Sequence, residues 1–426
     1  MSCAVTERDP APARTRGSVL RWAMVWAMAW TMWLSGCGSA PRRVVIEPAS
    51  PPPMSAPAPG SGAPSPVAPR SELPRSSAGL AGAPGTPSPQ QPIRSRWVAV
   101  PWSELPGWQD DDLQDAWNAW LQNCARPGPL FAPLCQSVRT LSLASDDERR
   151  LWMMANLQPY RVESLEGQPE GLLTSYYEPL FDASLQPRPG FEVPLYAPPE
   201  GLDALRRSGR AWFTRQEIET APQAREALRG REVAWLADPV DALVLHIQGS
   251  GRVRVTQADG RTRTVRLAFA GSNEQPYQSV GRWLLDRGLV RDASWPGIKA
   301  WIAANRSSAP ERVQEMLWSN PRYVFFREEA RNPIDDELGP RGAQGVPLTP
   351  GRSIAVDRES IPYATPVWLA SSGPSGSLRR LVFAQDTGSA IVGAVRADYF
   401  AGTGAAAGEW AGRVKQGLRL WVLWPK

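Results

Sequence analysis

Acid–base, nucleophilic and metal chemistry each need particular side chains, and this 426-residue sequence is short of one of them. It holds a single histidine, His246. Ser-His-Asp and Cys-His catalysis need a histidine beside the nucleophile. Zinc peptidases and amidases need two or three histidine ligands. Both classes are set aside, and no metal or cofactor is expected. A Gly-x-x-x-x-Gly-Lys-Ser/Thr phosphate loop and a strand-borne Gly-x-Gly-x-x-Gly motif are also absent. Of four cysteines, Cys3 and Cys37 fall in the N-terminal run, which leaves Cys124 and Cys135 close together in the sequence. In an oxidising compartment these are expected to form a structural disulfide that pins a helix end to the loop after it. The alternative is a catalytic thiol. Acid–base work otherwise falls to Asp and Glu.

The compartment is read from the N-terminus. A basic start (Arg14, Arg16, Arg21) precedes the apolar run Trp22 to Leu34 and then Leu34-Ser35-Gly36-Cys37. This is the layout of a secretory signal over residues 1–36, too short for a comfortable membrane span of about 20 apolar residues. Cys after Leu-Ser-Gly resembles a lipobox, which implies lipidation of Cys37; a plain signal with a chance Cys is the alternative. Gly38 rather than Asp after Cys37 implies the outer membrane, with the body facing the periplasm. Residues 37–95 are rich in Pro, Ala, Ser and Gly and read as a disordered tether, with an r.m.s. span of roughly 40 Å. The charge of +5 and pI of 9.2 are mild, no basic stripe stands out, and nucleic acid is not an expected partner. In a secreted chain with these limits, carboxylate chemistry points to glycosidic bonds.

The elements that must position those carboxylates begin near Trp97. Leu113, Ala116, Trp117, Trp120 and Leu121 recur at helical spacing, and Ser145-Asp146-Asp147-Glu148 is a capping box opening a second helix through Leu157. Further helices fit Ser279–Arg287, Ser294–Ala304 and Pro310–Trp318. Short strands are predicted at Val233–Leu236, Leu243–Gln248, Arg252–Thr256, Arg263–Leu267, Tyr323–Phe326, Val367–Leu369, Leu381–Ala384 and Leu418–Leu423. Ala258-Asp259-Gly260 supplies a hairpin turn. His246 lies in the apolar run Ala242–Gln248, where it reads as a hydrogen-bonded strand residue rather than a catalyst. The 20 Trp suit sugar stacking, but most fall at core positions. The class is mainly β with helical decoration.

Four segments together resemble the family of membrane-bound lytic murein transglycosylase A. They are Thr174-Ser175-Tyr176-Tyr177-Glu178-Pro179 with Val193-Pro194-Leu195-Tyr196; Gln248-Gly249-Ser250-Gly251, followed by Tyr277-Gln278 and Asn320-Pro321-Arg322-Tyr323; Gly345 to Asp357 with Ile361-Pro362; and Asp386-Thr387-Gly388-Ser389 with Gly393 to Phe400. The resemblance implies a double-psi β-barrel from residues 96–179 and 330–426, interrupted by an inserted second β domain at residues 180–329. The resemblance also implies a groove between the two. It makes Asp398 the catalytic acid/base, with Asp386 and Asp357 completing three aspartates. An acidic residue that the family often carries is replaced within Gly402–Gly408, so that any supporting carboxylate is lost or shifted to Glu409.

The implied reaction cuts the β-1,4 link between N-acetylmuramic acid and N-acetylglucosamine. One carboxyl protonates the bridging oxygen and takes back the proton of the attacking C6 hydroxyl. Its pKa must be raised by burial or like charge. Asp386 could supply that charge or bond local backbone amides; Asp357, beside Arg358, reads rather as ion-paired. Thr174, Tyr176 and Gln248 are candidate glycan hydrogen-bonders, and Tyr177 is either that or core. Gly249, Ser250, Gly251, Gly388 and Ser389 would offer close backbone approach, or simply form tight turns. Expected partners are peptidoglycan strands, the outer membrane through the lipid, and cell-wall synthesis proteins. The rivals are a hydrolase on the same fold and a non-catalytic wall clamp.

Overall fold

The computed structural model describes residues 92–257, 260–329 and 338–426. The signal, Cys37 and the tether up to residue 91 lie outside the described residues, as do Ala258 and Asp259 of the turn.

Three strands come first: β1 (Arg96–Ala99), β2 (Leu157–Glu163) and β3 (Gly171–Glu178). Six follow: β4 (Leu180–Ser184), β5 (Val193–Tyr196), β6 (Glu232–Leu236), β7 (Gly251–Thr256), β8 (Thr262–Ser272) and β9 (Val324–Glu329). The last five are β10 (Ser353–Val356), β11 (Pro366–Gly373), β12 (Gly376–Asp386), β13 (Arg396–Thr403) and β14 (Lys415–Pro425). The first and last groups share one sheet, and β4 to β9 form another in the order β5-β6-β4-β7-β8-β9. In the first sheet β14, β11, β12, β10, β13 and β3 pair in turn, and β3 pairs back to β14, which closes a barrel-like ring.

Alternation explains the ring's composition. Val382 and Ala384 of β12, with Leu418, Leu420 and Val422 of β14, join one buried cluster with Leu173, Ile354, Val356 and Ala397. Their neighbours Leu381, Phe383, Trp421 and Leu423 face the other way into a second cluster, under Trp117 and Trp120 of the helix Leu113–Asn123. A strand covered on both faces reads as a continuous apolar run rather than as an alternation. The capping box at Ser145 forms and opens the helix Asp146–Asn156, while Leu157 already starts β2. Cys124 and Cys135 are bonded, joining the residue after the helix Leu113–Asn123 to the first residue of the helix Cys135–Thr140.

The run Leu243–Gln248 corrects an expectation. It lies in the helix Pro239–Gln248, not in a strand. The Asp238 side chain accepts from Val240 N–H, Pro239 opens the helix, and Gly249 ends it in the left-handed region at φ 79°. These are start and stop signals that apolarity alone conceals. His246 is therefore a buried helical residue. Its Nδ1 accepts from the Arg215 guanidinium at 2.9 Å, and burial with that charge holds the ring's pKa well down.

One residue, Pro179, separates β3 from β4. At this junction Glu178 is fully buried between two guanidiniums, Arg252 on β7 at 2.8 Å and Arg266 on β8 at 2.9 Å, and it also accepts from Thr403 of β13 at 2.9 Å. A buried carboxylate needs such partners. This one ties the two sheets together.

Candidate active site

Strand register builds the site. Asp398 of β13 pairs with Ala355 of β10 on one side and with Thr174 of β3 on the other. Ala355 also pairs with Asp386 of β12, after a register shift between Ile354 and Ala355. Ile354 pairs with Ala384 and Ala355 with Asp386, so Gln385 is skipped and the next carboxylate joins the row. Such a shift re-aims a side chain. Paired residues share a face, so Asp386, Asp398 and Thr174 stand on one wall, the two aspartate backbones about 10 Å apart across two strand spacings. Tyr176, two residues after Thr174, points the same way and its ring packs on Phe400.

Hydrogen bonds differentiate the two carboxylates. Asp386 Oδ1 accepts from Ala343 N–H and Oδ2 from the Tyr176 hydroxyl, both at 2.9 Å. Asp398 Oδ1 accepts from the Thr174 hydroxyl at 2.5 Å, while Oδ2 has no partner among the described residues. Burial raises the pKa of Asp398 above the ordinary carboxylate value. Thr174 and Arg396 pull it down, and Asp386 adds to the rise. Asp386 is also raised by burial, against the Thr387 and Ala343 amides and Tyr176. Both aspartates keep partial solvent exposure. They are thus surrounded by protein yet reachable, as a cleft requires. A carboxyl there can hold a proton and release it.

The other expected residues divide. Asp357 is buried and its oxygens accept from Glu359 N–H at 3.0 Å and Gly393 N–H at 2.9 Å. Its ion pair is with Arg94 at 3.3 Å and not with the adjacent Arg358. The carboxylate is taken up in holding the loop before β13. Tyr177 and Gln248 meet elsewhere: Tyr177 N–H donates to Gln248 Oε1 at 3.0 Å, and both line a cavity of about 120 Å³ with Ile247, Trp295 and Gly408. Gly249 caps its helix, and Gly251 is packed so that a Cβ would stand 2.2 Å from Leu245. Ser250 lies between them. Gly388 and exposed Ser389 follow Asp386 in the turn after β12. Glu409 lies exposed on the helix Gly404–Ala411 and takes no place in the row.

Sequence reasoning missed Arg396. Its guanidinium donates to Thr174 Oγ1 at 2.8 Å. It also missed Tyr277, whose phenol is pushed up by burial and additionally by the charge of Asp398. Both stood inside motif segments, but only their placement shows what they face.

Comparison with known proteins covers both sheets. Residues 172–327, from β3 into β9, match the MltA specific insert domain, and residues 352–424, spanning β10 to β14, match the 3D domain. The chain is 31% identical over 312 residues to membrane-bound lytic murein transglycosylase A of Vibrio cholerae, covering 71% of this chain and 78% of the relative. Among solved structures, the lytic transglycosylase LtgG of Burkholderia pseudomallei is 42% identical with a TM-score of 0.54, covering 79% of this chain and 97% of that one. MltA of Neisseria gonorrhoeae is 29% identical with a TM-score of 0.63, covering 78% and 93%. The aspartate row sits on a scaffold shared along most of its length with these enzymes, and the chain belongs to the membrane-bound lytic murein transglycosylase A family.

Proposed function

We propose that this protein is a lytic transglycosylase that cleaves the β-1,4 N-acetylmuramic acid–N-acetylglucosamine bond of peptidoglycan without water, and that Asp398 is its acid and base. The observation that supports this best is the unlike state of two neighbouring carboxylates. Asp398 keeps one oxygen free in a site that favours its protonated form, whereas both oxygens of Asp386 are engaged by donors. A hydrolase needs a second carboxylate to activate water or to attack, and each oxygen of Asp386 already accepts one hydrogen bond that holds it in the wall.

In the reaction Asp398 gives its proton to the bridging oxygen as the C1–O bond breaks. The C6 hydroxyl of the muramic acid then attacks C1 and returns its proton to Asp398. The products are a free N-acetylglucosamine end and a 1,6-anhydro end, and no atom of water enters. Asp386 contributes the like charge that favours protonated Asp398. Gln248 Nε2, which has no partner among the described residues, would donate to the glycan. Tyr177, Ser250, Ser389 and the backbone at Gly249, Gly251 and Gly388 are proposed to line its path. We assign residues 96–179 and 330–426 to a double-psi barrel domain and residues 180–329 to the insert. Lipid on Cys37 would hold the body at the outer membrane, facing the periplasm; the relatives are named membrane-bound.

Digestion of purified sacculi with mass spectrometry of the released ends tests the reading. Expected are 1,6-anhydro ends from the parent and a loss of about 10²- to 10⁴-fold in Asp398→Asn, the usual range for removing a general acid. Reducing ends would make the protein a hydrolase. An Asp398→Asn protein that solubilises glycan as the parent does would remove the assignment.

A further inference from the structure

Resting on the acid/base role of Asp398, we propose that Arg396 is a positioning residue that acts through Thr174 to fix which oxygen of Asp398 carries the proton. Arg396 precedes Asp398 by two residues on β13 and so shares its face. Its guanidinium is anchored by the carbonyl of Ala397 at 2.5 Å, with that of Leu172 at 3.4 Å, and it donates from Nη2 to Thr174 Oγ1 at 2.8 Å. Among the described residues it forms no ion pair. Its hydrogen-bonded link to Asp398 therefore runs through a hydroxyl, in addition to the through-space pull of its charge.

Donor chemistry gives that path a direction. A guanidinium only donates, so Thr174 Oγ1 must accept. The single hydrogen of the hydroxyl points to Asp398 Oδ1, 2.5 Å away. In a protonated carboxyl the carbonyl oxygen is the better acceptor, so a hydroxyl donated to Oδ1 favours the proton on Oδ2, the atom without a protein partner among the described residues. After transfer the same Thr174 bond and the Arg396 charge stabilise the carboxylate, and Oδ2 is the oxygen that recovers the proton. Thr174 is thereby a link in the acid's own support rather than a contact to glycan.

Other charged or titratable groups face the carboxyl as well. Asp386 lies two strands away with its donor Tyr176, Tyr277 feels the charge of Asp398, and Lys415 stands beside Thr174 in the β14 register. None of these reaches Asp398 through a hydrogen-bonded path among the described residues. Arg396 does.

The test uses the full chain and two readouts: the titration midpoint of the Asp398 carboxyl carbon by NMR, and the pH profile of kcat on sacculi. Arg396→Met and Thr174→Val are each expected to raise the midpoint by about one unit. The basic limb of kcat should move up with it. At the acidic plateau kcat should fall about 10- to 100-fold, the cost of one hydrogen bond to a charged group, with KM near the parental value. Thr174→Ser should restore all three quantities. The double variant should lose no more kcat than Thr174→Val alone, since partners in one path are not additive. A merely structural role would lower the folded fraction and leave the midpoint where it was. An unmoved midpoint in the folded variants, or kcat losses that multiply, overturns the proposal. If Arg396→Met does not fold, Arg396→Lys, which keeps the charge with a different donor geometry, carries the comparison against Thr174→Val. The NMR midpoint is read whether or not anhydro ends appear, so a failed relay and a failed reaction assignment are told apart.

Discussion

The proton-holding site has a stability cost that can be measured at the level of one residue. Asp398 has its pKa raised in the folded state, with burial the largest cause. In the window between its unfolded and folded values the folded chain binds the extra proton, so stability falls as pH rises through that window. Each unit of elevation corresponds to about 1.4 kcal/mol once the group is ionised. Asp398→Asn is therefore expected to melt above the parent at neutral pH, with the difference shrinking as pH falls toward the ordinary carboxylate range near 4. Thermal melts of the two proteins across pH check this; a variant that melts below the parent at neutral pH refutes it. Asp398, Asp386, Thr174 and Tyr176 all stood in motif segments of the sequence. What those segments did not carry was pairing: Thr174 and Asp398 are 224 positions apart, and their bond exists only because β3 and β13 lie side by side.

Among elements, that same pairing has a weak point. A Cβ on Gly171, at the start of β3, would stand 1.8 Å from the Val395 carbonyl oxygen, so backbone must move to admit one. Gly171→Ala is expected to cost about 1–3 kcal/mol, the range for overpacking a tight contact. It should also lower kcat, because the displaced strand carries Thr174. Denaturant melts with turnover measured on the folded fraction test this, and parental values for both would refute it. Helices with explicit ends were legible: Ser145 with Glu148, Ser279 and Ser294 each cap a helix where the sequence places one. The run Leu243–Gln248 was not, since a short apolar stretch of Val, Leu and Ile suits a buried strand as well as a buried helix. Asp238-Pro239 before it and Gly249 after it held the missing information. The helix Gly404–Ala411 was missed for a related reason, its three alanines being framed by glycines that read as loop.

For the whole molecule, the decisive contact is Glu178 with Arg252, Arg266 and Thr403, which spans both sheets at their one-residue connection. Glu178→Gln removes a buried charge from between two guanidiniums, and breaking such a group costs about 3–5 kcal/mol. Chemical denaturation should show a loss of that size, and hydrogen exchange should rise at β4 and β7 beside the junction. A variant as stable as the parent would show that the cluster does not hold the sheets. The sequence by itself pointed to the chemistry: one histidine and aspartates in recognisable order direct the reading to carboxylate catalysis. Composition also determined the β-rich class, since continuous apolar runs such as Leu381–Ala384 need cover on both faces. Only the tertiary structure decided which carboxyl keeps an oxygen without a protein partner, Asp398 among the described residues, since burial raises the pKa of both Asp398 and Asp386. A pKa and a free oxygen depend on what surrounds a group in space, and the neighbours of Asp398 come from strands that local sequence does not connect.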